Sequence, residues 1–287
     1  MNYQQYRPTG FNMLPEVVKN ILIINVIMYI ATLVLESKGV DLNDILGLHY
    51  YGSEKFRVYQ LITYMFMHGS WAHILLNMFA AWMFGSAIEN TWGPKRFLTY
   101  YILTGLGAAL AQFAIVHIQL TPVISALNDY LAHPSEDALG ALLNSGKLGT
   151  FSSQEMYEHI NTFLTQFNDV NQRSGPEALQ LSVDFMQQLR MDILNAPVVI
   201  GASGAVYGVL LAYGMLYPNN LLYVYFVVPI RAKYFVIIFG LIELFSGLSN
   251  VRGDNVAHFA HLGGLLTGII LILYWRWRNR RNTNYFG

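Results

Sequence analysis

Three short segments hold residue types that can do acid–base and acyl-transfer chemistry. The first, GASGAVYG (201–208), sets Ser203 between Gly201, Ala202, Gly204 and Ala205, where an apolar helix is predicted to start. The first N–H groups of a helix have no partner within it, and they carry the positive end of its dipole. A serine there can aim its own N–H at a developing oxyanion. The plainer alternative is a small residue that lets helices pack. Gly201 suits a compact turn before the serine. Tyr207 lies four residues on, on the same helical face, where its ring can stack on an imidazole or simply pack.

The second segment, NVAHFAHLGGLLTG (255–268), places His258 and His261 one turn apart at the start of the last apolar run. Histidine inside a bilayer is costly and usually marks a site. Two histidines three apart could hold a metal, but zinc needs more ligands and no HExxH element exists. A general base for a nearby serine needs only one partner. The third segment, HGSWAHILLN (68–77), carries His68, His73 and Asn77. His73 and Asn77 share a helix face and can donate to an oxyanion or satisfy carbonyls inside a bundle. Gly204 with Gly208, and Gly264 with Gly268, form small-xxx-small faces that let helix axes approach closely.

The elements that must position these residues are apolar. The 287 residues are 54% hydrophobic and 12% charged, against about 25% charged in soluble domains. With roughly 20 apolar residues per crossing, six spans are predicted near 17–35, 72–90, 97–116, 198–217, 231–248 and 256–275. The fifth is the weakest, with Arg231 and Lys233 at its start, and Leu221 to Ile230 reads as an interfacial or re-entrant piece. The three polar clusters fall at the same ends of the second, fourth and sixth spans. Basic residues Arg7, Lys19, Lys95, Arg96, Arg231, Lys233, Arg276, Arg278, Arg280 and Arg281 would share one side, which predicts both termini in the cytoplasm. The first apolar run reads as a retained span rather than a signal peptide, and no organellar targeting segment is evident; both favour a bacterial inner membrane. A net charge of zero offers no field for nucleic acid, and the lack of cysteine excludes disulfides and thiolate chemistry. No cofactor and no metal are expected.

The expected organisation is an N-terminal part of the bundle (1–117), an insert (118–196), and a C-terminal part with a basic tail (197–287). The insert has three basic and nine acidic residues. Its apolar positions recur at helical spacing, at Met156, Ile160, Phe163, Leu164 and Phe167, then Leu179, Val183, Met186 and Leu189. Ser152 or Ser153 could cap the first of these helices, and Pro176 suits the start of the second. The insert reads as a water-facing helical piece on the noncytoplasmic side.

With these motifs in place, the chain resembles the rhomboid family of intramembrane serine proteases. GASGAVYG resembles the family's GxSG motif, AHLGGLLTG (260–268) its AHxxGxxxG motif, and HGSWAHILLN its HxxxN element. The resemblance implies a six-helix bundle, all-α, with Ser203 as nucleophile and His261 as base. It makes His258 an accessory polar residue, puts His73 and Asn77 with the Ser203 N–H in the oxyanion hole, and stacks Tyr207 on the base. Gly85 and Glu89 fit the family's GxxxE pattern near the cytoplasmic end of the second helix. Tyr59-Gln60 stands where the family often has Trp-Arg. Substrates would be single-span membrane proteins delivered sideways from lipid and cut in or near their transmembrane segments, and the fifth span would be a movable gate. The mechanism needs no acidic orienter; Asp254 is a conceivable one by proximity in sequence. Two rivals stand beside this reading. One is a noncatalytic protein that binds transmembrane helices. The other is a transporter in which Glu243 relays protons, although no paired repeats are evident.

Overall fold

The computed structural model describes residues 10–150, 154–224, 227–249 and 256–283. Among them the helices are α1 (Glu16–Glu36), α2 (Leu42–Leu46), α3 (Gln60–Thr63), α4 (Trp71–Trp92), α5 (Pro94–Ala132), α6 (Glu136–Asn144), α7 (Gln154–Asn171), α8 (Gly175–Asn195), α9 (Ser203–Leu216), α10 (Ala232–Ser249) and α11 (His258–Thr283). The extended pieces are β1 (Leu48–His49), β2 (Val198–Val199), β3 (Leu221–Val224) and β4 (Val228–Arg231). Two compact units emerge, one of residues 1–48, 57–112 and 199–287, the other of 49–56 and 113–198.

Five helices are long and apolar enough to cross a membrane: α1, α4, α5, α10 and His258–Arg280 of α11. They carry an outer shell of exposed apolar side chains, among them Ile27, Leu76, Ile237, Phe245, Leu266 and Ile270. A shell of this extent has no place in water but costs nothing against lipid tails. The chain is a multi-pass membrane protein.

The predicted span 198–217 differs from this pattern. Its helix α9 has 14 residues, about 21 Å at 1.5 Å per residue, short of a core of about 30 Å. The chain is not helical at 198–202, where Gly201 adopts φ +127°. The helix stops at Tyr217, with Pro218 next. One other expectation is corrected. The third helix continues to Ala132, beyond the predicted 116, because Pro122 lies within it without ending it. Within the stretch read as interfacial or re-entrant, β3 and β4 pair as antiparallel strands, Leu221 with Arg231 and Val224 with Val228.

Helix ends follow from local chemistry. Ser70 caps α4 by accepting from the His73 N–H at 3.2 Å, and Gly93 closes that helix at φ +80° before Pro94 opens α5. The first turn of α1 is capped from a distance: Glu89 accepts from the N–H groups of Val17 at 3.0 Å and Val18 at 2.8 Å. A buried carboxylate at a helix N-terminus satisfies orphan donors and meets the positive dipole end. Gly85 makes room beside it, since a Cβ there would come within 3.0 Å of Val18 and 3.1 Å of Phe97.

The interior of the first unit is built on close approach. Ile74, Met78 and Ala81 of α4 pack on Ala202 and on Val206 of α9, with Tyr29 of α1. On its other side α9 meets α5 and α11. Gly204 faces Ala108 and Gly208 faces Thr104, while Gly264 of α11 lies against the Gly204 carbonyl. Gly268 lies against Tyr100 and Leu211. The glycine faces predicted from spacing thus serve three helices rather than two.

The second unit has its own apolar core, which includes Leu127, Phe163, Met186, Leu189 and Ile193. Phe163 and Phe185 stack at 4.1 Å. Pro176 sits at the start of α8. Ser152, Ser153, Arg7, Asp254 and Asn255 lie outside the described residues, as do the side chains of Met156 and Arg281.

Candidate active site

Ser203 is the first residue of α9, behind a turn that only glycine suits. Gly201 sits at φ +127°, a conformation that side chains with a Cβ rarely adopt, and its N–H donates to the Tyr64 carbonyl at 2.9 Å. Ala202, the cap residue, offers no side-chain hydrogen bond, so the first N–H groups of α9 have no partner within the helix.

His261 lies in the first turn of α11 and is buried. Its Nε2 is 2.7 Å from Ser203 Oγ. Its Nδ1 is 2.9 Å from Glu243 Oε2 on α10. The Tyr207 ring stacks on the imidazole, with centroids 4.3 Å apart and planes 11° from parallel. The Tyr207 hydroxyl donates to Glu243 Oε1. His258 Nδ1 meets the same Glu243 Oε2 at 2.6 Å. An ionised carboxylate only accepts, so each Nδ1 carries the proton. That leaves the His261 Nε2 lone pair to face the Ser203 hydroxyl, the arrangement a general base needs.

His73 approaches from α4. A Cβ built on Gly201 would lie 2.7 Å from His73 Nε2 and 3.6 Å from Ser203 Oγ, so both atoms border one small space. Asn77 is buried one turn further along α4, on the side where Ile74, Met78 and Ala81 pack on Ala202 and Val206. His68 lies fully buried in the connection before α4, its ring 4.8 Å from that of His73. Burial, with the His73 ring adding, pushes His68 down to about 3, which keeps it neutral beside His73.

Glu243, His258 and His261 also bring three possible ligand atoms within 4.8 Å of one another. The separations of 2.6 Å and 2.9 Å about Oε2 are hydrogen-bond lengths. A cation there would take the Nδ1 lone pair and force the proton of His261 onto Nε2, against Ser203.

Of the residues singled out from sequence, Ser203, His261, Tyr207, Gly201 and His73 meet in one place, and His258 joins them through Glu243. Gly204, Gly264 and Gly268 hold the helices behind them. Sequence reasoning gave Glu243 only a role in a transporter. The available signal was its charge inside an apolar helix; what was missing was the rotation of α10, which spacing does not report.

Comparison with known proteins agrees with these motifs. Residues 55–126 and 178–278, more than half of the chain, match the model of the Rhomboid domain. The chain is 24% identical over 258 residues to RHOMBOID-like protein 12, mitochondrial, of Arabidopsis thaliana, covering 89% of this chain and 57% of that protein. It is 29% identical over 96 residues to Rhomboid-like protein 11, chloroplastic, of the same plant, covering 33% of this chain and 32% of that protein. It is 34% identical over 55 residues to Rhomboid protease GluP of Bacillus subtilis, covering 19% and 11%. The chain therefore spans less than two thirds of the length of these relatives.

Proposed function

The chain belongs to the rhomboid family, and from that premise we propose that it is an intramembrane serine endopeptidase with Ser203 as nucleophile and His261 as general base. The observation that carries this reading is the 2.7 Å separation of Ser203 Oγ and His261 Nε2. Similarity to a named rhomboid protease supports it.

In the proposed reaction the Ser203 proton passes to His261 Nε2 as Oγ attacks the scissile carbonyl. The Ser203 N–H, the Asn77 amide and the His73 imidazole hold the oxyanion. His261 then gives its proton to the leaving amine, and a water activated by the same imidazole hydrolyses the acyl-enzyme. Substrates are single-span membrane proteins, cut in or near the span. Their helix must open before attack, and unpaired backbone groups in hydrocarbon cost several kcal/mol each. A short α9 suits this chemistry, because it starts the nucleophile below the membrane surface. In this reading α9 is a sixth crossing, the termini lie on the side rich in Lys and Arg, and residues 118–196 lie on the opposite side.

The test is cleavage of a labelled single-span substrate in proteoliposomes. Ser203→Ala and His261→Ala each abolish cleavage while the protein keeps its melting temperature. A fluorophosphonate probe labels the wild type and not Ser203→Ala. Full cleavage by Ser203→Ala refutes the assignment; absence of both cleavage and labelling in the wild type favours a protein that only binds transmembrane helices.

A further inference from the structure

We infer that Glu243 is a positioning residue for the base, so that the site works as a serine–histidine–glutamate relay with its acid supplied by α10. The inference rests on the protease reading above and adds a third member to it. Three features of the geometry carry it.

The first is direction. His261 presents opposite ring nitrogens to Ser203 and Glu243, at 2.7 Å and 2.9 Å. An acid at Nδ1 fixes the tautomer in which Nε2 is unprotonated, and it stabilises the imidazolium that forms once the serine proton has moved. During that step the Oγ–H bond breaks, its electron pair forms the Oγ–C bond as the carbonyl π pair moves onto oxygen, and the proton goes to Nε2. Glu243 keeps its charge throughout.

The second is that the carboxylate is itself held. Glu243 is buried and receives the Tyr207 hydroxyl on Oε1 and His258 Nδ1 on Oε2. These two donors come from outside the Ser203–His261 pair and hold the carboxylate beside the base. Here the base is one of three donors, and the other two leave the carboxylate no other orientation.

The third is that Tyr207 contacts both partners. Its ring face fixes the imidazole plane at 4.3 Å and 11°, and its hydroxyl fixes the acid. One side chain thus aligns the Nδ1–H with its acceptor, which a stacking contact alone would not require.

The full chain in proteoliposomes tests this with Glu243→Gln, Glu243→Asp and Ser203→Ala side by side. Glu243→Gln keeps the shape, but its amide can turn NH₂ toward His261 and favour the wrong tautomer. Its kcat should fall about a hundred- to ten-thousandfold, the range for general-base catalysis. KM should stay within about threefold, the melting temperature should hold, and fluorophosphonate labelling should slow in proportion to kcat. Glu243→Asp should recover at least about tenfold of the loss. Wild-type kcat in Glu243→Gln, or a loss that Glu243→Asp does not relieve, overturns the inference. A second measurement needs no variant of Glu243: ¹⁵N NMR of histidine-labelled wild type, assigned by difference from His261→Ala, should show His261 protonated on Nδ1. A signal for the Nε2–H tautomer at neutral pH overturns it. If Ser203→Ala cleaves normally, the protease reading itself has failed; if Ser203→Ala is dead while Glu243→Gln is fully active, only the relay has failed.

Discussion

Gly264→Ala should disable the site without touching any residue that does chemistry. A Cβ at Gly264 would lie 2.8 Å from the Gly204 carbonyl carbon and 3.4 Å from its Cα, and closer still to the carbonyl oxygen. These are backbone atoms, so no rotamer change relieves the contact. Bringing the carbonyl carbon alone from 2.8 Å to the 3.4 Å of ordinary contact needs a retreat of α11 from α9 of about 0.6 Å, and the nearer oxygen demands more. His261 is one turn from Gly264, and Ser203 adjoins Gly204. The same retreat stretches the 2.7 Å Oγ–Nε2 contact to at least about 3.3 Å, beyond the reach of roughly 2.6–3.2 Å for proton transfer. A displacement near 1 Å costs about a hundredfold in rate, so kcat should drop at least about thirtyfold. Overpacking should also lower stability by about 1–3 kcal/mol. The assay is initial-rate cleavage of a transmembrane substrate, with thermal unfolding in the same detergent. Gly240→Ala is the control, because a Cβ there meets only Leu265 at 3.5 Å; it should stay within about twofold of wild type. Wild-type kcat in Gly264→Ala would mean that α9 and α11 adjust without parting, and the close-approach argument would be wrong.

Asn77→Ala should lower kcat by about a hundred- to a thousandfold with little change in KM, the usual result of losing one oxyanion donor; no change in single-turnover rate would make Asn77 structural. His258→Ala should cost only about three- to thirtyfold, since it touches Glu243 rather than Ser203; complete inactivity with an intact fold would mean the base has been misassigned. Glu89→Gln should destabilise by about 1 kcal/mol through weaker capping of α1, seen as a lower melting temperature with kcat unchanged; an unchanged melting temperature would dispose of the capping role.

What the sequence conveyed well was local. Ser203 among small residues, His261 one turn from His258, and Tyr207 four residues past the serine are fixed by spacing along single helices, and spacing is what a sequence displays. Tertiary partners were less legible. Glu243 is distant in sequence from Tyr207 and His261 and reaches them only because of how α10 is rotated. The same limit explains Gly204 and Gly208. Their shared face is periodic, but that it turns toward Ala108 and Thr104 of α5 depends on helix placement. The length of α9 was overestimated because hydropathy counts Val198 to Ile200 as apolar, whereas the turn at Gly201 takes them out of the helix. The end of α5 was underestimated for the opposite reason: polar residues after 116 mark where lipid-like composition stops, not where hydrogen-bonded helix does. The hairpin at 221–231 was hidden by a run of apolar residues too short to separate strand from helix by period.

The placement of Glu243 also bears on how firmly α10 is held. Only 17% of the apolar stretch of α10 is buried, the smallest share among the five long apolar helices, so side-chain packing contributes least to its docking. A carboxylate in mid-helix costs about 2.5–3.5 kcal/mol to place in a bilayer, and each interhelical hydrogen bond returns about 0.6–1.7 kcal/mol. Three donors from Tyr207, His258 and His261 together return roughly 2–5 kcal/mol, which is comparable to that cost. The groups that orient the base are therefore also those that keep this helix in place, and a disturbance of either is felt by the other.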